Sequence, residues 1–367
     1  LYYLGIGLGL GMLGKYTTLF YIFSLVVAML LSKQRRLFLN KNFYLAMLVG
    51  IVICLPNFLW QYRHHFPVMH HMDLLTSRLL KLNTGKDFII NQFLMTLPSF
   101  FVWLGGLWFL FANPAGRKYR LLGIMYFGII GILLYFNGKA YYASAIYPTL
   151  MAFGGVWFSQ LSFTKWFGWV KWIALTGMFV ITLLTLPFAL PFLSPQKLAA
   201  FYRVSQMDKS PVLSWEDQKQ HALPQDFADM LGWKEMAFKT AKIYHALPDS
   251  VKKETMVYGD NYGEAGALSF YGKKWGLPEI YSDNASYVFW LPEKFTYKYF
   301  LFVCAQLPES DDAFFSHWGK AVIKDSVTQK YAREFGAKIM LYSNPDDSVR
   351  IIAEEHIRDS RKQFNFH

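Results

Sequence analysis

The sequence predicts a polytopic α-helical membrane protein that ends in a C-terminal extracytoplasmic α/β domain. As far as about residue 193, long apolar runs alternate with short loops, and every second loop is rich in Lys and Arg. Acidic residues are nearly absent from this half, where Asp73 and Asp87 are the only two. Acids become frequent in the second half, as in ordinary water-soluble proteins. We therefore expect a transmembrane domain over 1–193 and a soluble domain over 194–367.

Seven apolar stretches reach or approach the roughly 20 residues that a helix needs to cross a bilayer. Their approximate bounds are 1–14, 17–32, 43–59, 88–111, 120–136, 141–161 and 172–193. Alternate glycines in the first stretch, from Gly5 to Gly11, predict close packing against another helix. The sequence begins at Leu1 inside that short stretch, so we expect about six to seven spans here and further spans before them.

The basic loops predict the orientation of the membrane domain. The first contains Lys33, Arg35, Arg36 and Lys41, the second Arg117, Lys118 and Arg120, and the third Lys165 and Lys171. All three fall on one side, which the positive-inside rule makes cytoplasmic. The loops 60–87 and 137–142 and the whole soluble domain then lie outside the cytoplasm, as in a protein of a bacterial inner membrane. Because the net charge of +12 is concentrated at helix ends in this half, it does not indicate a nucleic-acid partner.

Of the cations on the outer side, which stand against the positive-inside bias, three are candidates for one site. They are Lys15, Arg63 and Lys139, and the last is followed by Tyr141 and Tyr142. Arg grips phosphate in a bidentate fork, Lys acts as a mobile point charge, and Tyr hydroxyls add neutral donors. We expect these five residues to bind the phosphate of a membrane lipid. The alternative is that they merely anchor helix ends at the interface, as Lys, Arg and Tyr often do.

Four histidines lie in the loop that follows the third apolar stretch. His64 and His65 are candidates for orienting the phosphate or an acceptor, and His70 and His71 follow closely. Adjacent histidines on an irregular loop are weak evidence for a metal, and the chain has no Cys/His metal spacing. We therefore assign no metal ligand and no certain cofactor, and a divalent metal stays an open alternative that the residues do not support.

Several segments of the chain also resemble a known family. They are Gly9–Thr17 (GLGMLGKYT), Pro56–Gln61 (PNFLWQ), Gly138–Tyr142 (GKAYY) with Tyr147 and Pro148, Asp260–Gly272 (DNYGEAGALSFYG) and Gly276–Pro278 (GLP). In this order they resemble the bacterial dolichyl-phosphate-mannose-protein mannosyltransferase-like enzymes. This glycosyltransferase 39/83-type group includes the aminoarabinose transferase of lipid A. The two segments of the soluble half are similar to one bacterial branch of the group.

The resemblance implies a GT-C fold with its active site at the outer face. It implies a polyprenyl-phosphate sugar as donor and inverting transfer to a hydroxyl or amine of a lipid, glycan or protein. In such enzymes an Asp of the first outer loop serves as, or positions, the general base. That loop would precede Leu1, so we expect the base upstream and the stretch 1–367 alone to be inactive.

The soluble half alternates predicted helices and strands, which is typical of a small α/β layer domain. The predicted helices are Asp226–Ala246 and Glu264–Tyr271, and the predicted strands are Met256–Tyr258, Tyr299–Cys304, Lys338–Tyr342 and Val349–Ala353. The glycines near residue 260 lack the spacing of nucleotide-binding loops. Asp260 and Glu264 are candidates for contacting the acceptor, or they cap the helix that follows them.

Two other functions compete with a glycosyltransferase. One is a flippase or transporter for lipid-linked sugars, and the other is a non-catalytic component of envelope assembly. Transporters usually show internal repeats and charges at the bilayer midplane. This sequence has no evident repeat and places its charges at the rim, which favours the enzyme.

Overall fold

The computed structural model describes residues 1–78, 84–161, 168–309 and 311–364, with the backbone alone at 74, 75, 77 and 78. It divides the chain into two compact units, Leu1–Leu186 and Pro187–His367. The first unit is helical, whereas the second is built around a β-sheet.

The helices of the first unit follow the apolar stretches of the sequence. They are α1 (Tyr2–Gly14), α2 (Thr18–Leu30), α3 (Lys41–Arg63), α4 (Pro67–Arg78), α5 (Gly85–Met95), α6 (Phe100–Ala112), α7 (Arg120–Tyr135), α8 (Tyr147–Leu161) and α9 (Gly168–Ala189). By length and composition, three helical segments within the described ranges suffice to cross a membrane: Lys41–Arg63, Arg117–Tyr135 and Gly168–Ala189. The bent pair α5 and α6 makes a fourth if it counts as one span. Helices α1 and α2 are apolar but only 13 residues long, so this number is below the expected six to seven.

Helices α1 and α3 run parallel and in close contact. A Cβ atom at Gly5 would lie 2.0 Å from the backbone oxygen of Ala46, and one at Gly9 would lie 2.9 Å from that of Gly50. The thiol of Cys54 on α3 donates a hydrogen bond to the carbonyl oxygen of Gly9, 3.3 Å away. The close packing predicted from the glycines of the first stretch is therefore confirmed.

The span predicted over 88–111 is not one straight helix, because the chain bends there by 68° between α5 and the segment Leu97–Ala112. A short 3-10 helix, Leu97–Ser99, separates α5 from α6. Pro98 explains the break, since proline lacks a backbone N–H and disfavours helical geometry in the preceding residue. The hydroxyl of Thr96 donates to the carbonyl oxygen of Gln92 (2.8 Å) beside the break.

The contacts between helices define two ends of the first unit. Gln34 Nε2 donates to the backbone oxygen of Lys118 (3.4 Å), so the first two basic loops meet at one end. At the other end, the rings of Phe20 and Phe136 stack with their centroids 5.8 Å apart, where α2 begins and α7 has just ended. Lys165, from the third predicted basic loop, lies outside the described residues.

The second unit contains a five-stranded mixed sheet in the order β2-β1-β3-β5-β4. Its strands are β1 (Thr255–Gly259), β2 (Ile280–Tyr281), β3 (Tyr299–Cys304), β4 (Trp318–Ser326) and β5 (Lys338–Pro345). Its helices are α10 (Pro195–Val204), α11 (Gln225–Ala228), α12 (Trp233–His245), α13 (Asp249–Lys253), α14 (Tyr262–Gly272) and α15 (Asp347–Gln363). Strand β1 is parallel to β2 and β3, whereas β5 is antiparallel to β3 and β4.

Helices cover both faces of this sheet. On one face, α12 and α14 pack against β1, β3 and β5, and their buried contacts include Met236, Leu268 and Leu301. On the other face, α15 packs against a cluster of aromatic side chains that includes Phe300 and Phe302. Alternate residues of β3 therefore enter different cores, as strand geometry requires.

The strand predicted at Val349–Ala353 is wrong, since this segment belongs to α15. Val349, Ala353 and Ile357 are buried at a spacing of four residues, which is the period of a helix face. Asp346 caps the helix by accepting a hydrogen bond from the N–H of Ser348 (2.8 Å).

The helix predicted over Asp226–Ala246 is two helices, α11 and α12. Gly232 separates them with a φ of 86°, a left-handed conformation that favours glycine and ends a helix. The other predicted elements of this half are confirmed, with small differences at their ends, in β1, α14, β3 and β5.

Candidate functional site

The structure brings Lys15 together with Tyr141 and Tyr142. Lys15 directly follows α1, and its ammonium nitrogen lies 4.8 Å from the ring centroid of Tyr141 and 4.5 Å from that of Tyr142. The two rings meet edge to face, with centroids 4.7 Å apart. These distances are typical of cation–π contacts. Three of the five predicted phosphate-binding residues thus form one group, which we call the Lys15 cluster.

Two residues outside the predicted set, Tyr21 and Gln92, form hydrogen bonds to the backbone of the segment that carries the tyrosines. The hydroxyl of Tyr21 donates to the carbonyl oxygen of Tyr142 (2.6 Å), and Gln92 Nε2 donates to that of Ala140 (3.2 Å). Gln92 is buried, and its side-chain oxygen accepts a hydrogen bond from the hydroxyl of Tyr147 (2.7 Å). A polar side chain inside an apolar stretch is the signal that marks Gln92 in the sequence.

A second polar group joins the ends of α1 and α3. The Tyr16 hydroxyl donates to Asn57 Oδ1 (2.6 Å) and accepts from Gln61 Nε2 (3.1 Å). The side-chain oxygen of Gln61 accepts from the backbone N–H of Val68 at the start of α4 (3.2 Å). The end of α1, and therefore Lys15 next to it, is fixed against the last two turns of α3.

Arg63 and Lys139, the other two predicted phosphate ligands, lie at the same end of the first unit. Arg63 is the last residue of α3, which runs parallel to α1, and it is exposed. Lys139 is half-buried and immediately precedes the 3-10 helix Ala140–Ile146, which carries Tyr141 and Tyr142. Both cations interact with neighbouring groups of their own.

An apolar groove leads to this end of the unit. It has a volume of about 490 Å³ and lies between α1, α2 and α3. Its walls extend from Leu1 and Phe43 at one end to Met12, Leu19 and Phe58 at the other. Met12 and Leu19 are three and four residues from Lys15 in sequence, and Phe58 follows Asn57. A molecule with an apolar tail and an anionic head fits this combination of groove and cation.

The predicted histidine loop is partly helical, so the expectation of an irregular loop is wrong. His70 and His71 lie in α4, which begins at Pro67, a residue suited to the first position of a helix. His64 directly follows α3, and its ring centroid lies 4.7 Å from that of Trp60. The exposed His65 lies in the turn between the helices and has a φ of 57°. In the described part of the chain, no three or more His, Cys, Asp or Glu side chains are grouped to hold a metal.

Glu264 and Asp260, the two candidates of the second unit, differ in environment. Glu264 is fully buried and forms a capping box: Asn261 Oδ1 accepts from the N–H of Glu264 (3.0 Å), and Glu264 Oε2 accepts from that of Asn261 (3.2 Å). Burial, with the charges of Glu334 and Asp260 added, raises the pKa of Glu264 to about 8. Asp260 lies at the surface just beyond β1. Partial burial and the charge of Asp283 raise its pKa as well.

One comparison with known proteins gives a match. Residues 1–60 match the family model described as dolichyl-phosphate-mannose-protein mannosyltransferase. The matched segment contains α1, α2, Lys15 and most of α3. No curated protein and no solved structure matches the chain. Together with the apolar helices, the family match indicates a membrane glycosyltransferase of the mannosyltransferase type.

Proposed function

We propose that the first unit belongs to a glycosyltransferase that takes a sugar from a polyprenyl-phosphate donor and transfers it, with inversion, to a hydroxyl or amine of a lipid, glycan or protein. The observation that carries this proposal is the Lys15 cluster at the end of the apolar groove, within and beside the segment that matches the family model. The groove takes the prenyl chain and the cluster takes the phosphate.

The chemistry explains why a cation is needed at this position. Transfer breaks the bond between the anomeric carbon of the sugar and a phosphate oxygen, and the departing phosphate gains negative charge in the transition state. Lys15 stabilises that charge, and the hydroxyls of Tyr141 and Tyr142 donate hydrogen bonds to the same oxygens. Arg63 and Lys139 add positive potential at the same end. A general base takes the proton of the acceptor as it attacks the sugar.

The orientation belongs to the same proposal. The basic loops face the cytoplasm of a bacterial cell, and the Lys15 cluster and the second unit face the opposite side of the inner membrane. This is supported by the separation of the ends of the first unit, since Gln34 and Lys118 join the basic loops at the end opposite Lys15. An acceptor in the cell envelope then reaches the donor without crossing the membrane.

The proposal is tested first by binding. Geranyl phosphate, a short prenyl phosphate, is titrated into the purified protein in detergent, with geraniol as the uncharged counterpart. Lys15→Ala is expected to weaken geranyl phosphate about tenfold, the usual effect of losing a charge-assisted hydrogen bond. It should leave geraniol unchanged. Lys33→Ala, an exposed cation at the opposite end, is the matched control and should bind both ligands as the unaltered protein does.

The second test is sugar transfer by the native full-length protein in membranes, using a radiolabelled polyprenyl-phosphate sugar. Lys15→Ala should reduce transfer far more than it reduces the amount of protein in the membrane, whereas Lys33→Ala should do neither. Equal transfer by the two variants would overturn the role of Lys15. Movement of the labelled lipid across the bilayer without any transfer would favour a flippase.

A further inference from the structure

The second unit contains a cavity of its own. It has a volume of about 360 Å³ and lies between the sheet face covered by α15 and the segment that follows Asp312. This volume is in the range of small-molecule sites. The aromatic residues that line it are Tyr258, Phe295, Phe300, Phe302, Phe314 and Phe315. The floor is rigid, because Phe295, Phe300 and Phe302 are buried in the core of this face.

Three carboxyl groups also line this aromatic cavity: Asp260, Asp283 and Asp312. None of the described residues that line it is a Lys or Arg, and the one basic residue among them is His356. His356 Nε2 lies 3.0 Å from Asp283 Oδ2. On the same helix, Arg361 has its guanidinium 3.4 Å from Glu293. The carboxylates therefore outnumber the cations at the cavity.

The carboxylates have different partners. Asp312 Oδ1 accepts hydrogen bonds from the backbone N–H groups of Phe314 (2.9 Å) and Phe315 (3.1 Å). The carboxylate of Asp283 pairs with His356 Nε2 (3.0 Å), while its backbone N–H donates to the hydroxyl of Tyr258 (2.7 Å). Across the described ranges the carboxyl group of Asp260 has neither a hydrogen bond nor an ion pair. Asp260 is thus the group that a ligand would engage.

Two features of the cavity, its carboxylates and its aromatic faces, both favour a positively charged ligand. An anion would meet repulsion from three carboxylates, whereas a cation gains from each of them. Aromatic faces also attract cations through their quadrupole and give an apolar body a surface to pack on. Partial burial and the nearby Asp283 raise the pKa of Asp260, which reflects how unfavourable a further negative charge is here.

We propose that this cavity binds a small organic ammonium ion, whose apolar or ring-shaped body packs on the aromatic walls and whose ammonium group donates hydrogen bonds to Asp260 at the rim. The site lies in a different unit from the Lys15 cluster and takes a ligand of opposite charge. It therefore does not rest on the proposed glycosyltransferase function.

The test uses cyclohexylammonium and cyclohexanol, which match in shape and differ in charge. Each is titrated into the full chain in detergent, and binding is followed by saturation-transfer NMR of the ligand. Cyclohexylammonium is expected to bind at least about tenfold more tightly than cyclohexanol, because it alone forms charge-assisted hydrogen bonds. Asp260→Asn should remove most of that difference.

Two further variants distinguish binding at this site from a general effect of charge and from partitioning of the probe into the detergent micelle. Asp311→Asn changes the net charge equally at an exposed residue that does not line the cavity, and it should bind cyclohexylammonium as the unaltered chain does. Ala313→Trp fills the cavity from an exposed lining residue and should abolish binding. Equal binding of the two probes, no binding of either, or equal losses in Asp260→Asn and Asp311→Asn would each overturn the proposal.

Discussion

Glu264 is a buried carboxyl group, and no cation among the described residues forms an ion pair with it. Its Oε2 accepts one backbone hydrogen bond, while Oε1 is buried and has no described partner. Burial raises its pKa to about 8, and the charges of Glu334 and Asp260 act in the same direction. A capping role needs only a side-chain acceptor at this position, which a neutral Gln also provides. The charge of Glu264 is therefore a cost to the folded state rather than part of the cap.

This cost predicts how stability depends on pH. The folded pKa of about 8 lies above the ordinary value of 4.5, so between these values the folded state holds a proton that the unfolded state releases. Stability therefore falls as pH rises through this window, by about 5 kcal/mol overall at roughly 1.4 kcal/mol per unit. Glu264→Gln should remove most of this fall. The measurement is the urea midpoint of the second unit at pH 5 and pH 8, read from the reaction of the buried Cys304 with a dithiodipyridine, a disulfide reagent that modifies exposed thiols at both pH values.

The control for this prediction is Glu355→Gln, which removes an exposed carboxylate from α15. It should leave the pH dependence of the urea midpoint as it is in the unaltered chain. The interpretation of Glu264 is wrong if Glu264→Gln and the unaltered chain lose the same stability between pH 5 and pH 8.

At the scale of single residues, the sequence indicates where charged groups lie better than it indicates which residues they contact. Lys15, Tyr141 and Tyr142 were grouped because charge and topology placed all three at one face, and the structure brings them into contact. Tyr21 and Gln92 were not found, because they act through backbone atoms that are distant in sequence. Such contacts arise only when the helices pack.

The pair α1 and α3 shows what an element requires of its residues. Both helices border the apolar groove, and their spacing is set by glycines that leave no room for a side chain. Close approach of this kind is a common way for helices to associate in lipid, where packing replaces the hydrophobic effect. The width of the groove thus depends on the absence of side chains at these glycines.

This packing predicts a contrast between two neighbouring glycines. Gly5→Ala should force α1 away from α3, because its Cβ would lie 2.0 Å from the backbone oxygen of Ala46, and cost about 1–3 kcal/mol as overpacked cores do. Gly7→Ala should be tolerated, because a Cβ there meets no described atom within 4 Å. The measurement is thermal unfolding in detergent together with the alkylation rate of Cys54.

Cys54 is a suitable probe because its thiol bonds to the carbonyl oxygen of Gly9 across the same interface. Gly5→Ala should speed its alkylation and lower the unfolding temperature, while the alkylation of Cys304 in the second unit stays slow. Similar behaviour of Gly5→Ala and Gly7→Ala would show that the contact does not control the packing.

Elements were predictable where a periodic pattern has one interpretation. The apolar stretches at α3, α7 and α9 are long enough to specify spans, and β1 and β3 are buried runs with turns on either side. The break at Pro98 was missed because the run from 88 to 111 is mostly apolar and long enough for one span. Strand β4 was missed because most of its residues are exposed, so it carries no apolar pattern. Hydrophobicity alone does not distinguish a straight span from a bent one at Pro98, nor an exposed strand from a loop at β4.

At the scale of the whole molecule, the distribution of acids separates two kinds of chain. The half with two acidic residues forms a helical unit with exposed apolar surfaces, and the acid-rich half forms a sheet with a core on both faces. A polypeptide surrounded by lipid avoids carboxylates, because a charged group is costly in the hydrocarbon core. A polypeptide in water uses carboxylates for helix caps and ion pairs. The two proposed sites follow the same division: cations for an anionic head group in the first unit, and carboxylates for a cation in the second.

The proposed orientation makes a prediction for the intact cell. In a Cys54→Ala background, Lys33→Cys lies in an exposed basic loop and Lys273→Cys lies on the surface of the second unit. A membrane-impermeant maleimide should label Lys273→Cys in cells whose outer barrier alone is opened, and label Lys33→Cys only after detergent is added. Because charge distribution determines orientation before either unit folds, the two positions should differ completely rather than by degree. Labelling of both positions before detergent is added would place the basic loop outside the cytoplasm and contradict the orientation. Labelling of both positions only after detergent is added would place the second unit in the cytoplasm. A lipid-linked sugar presented at the outer face would then be out of its reach.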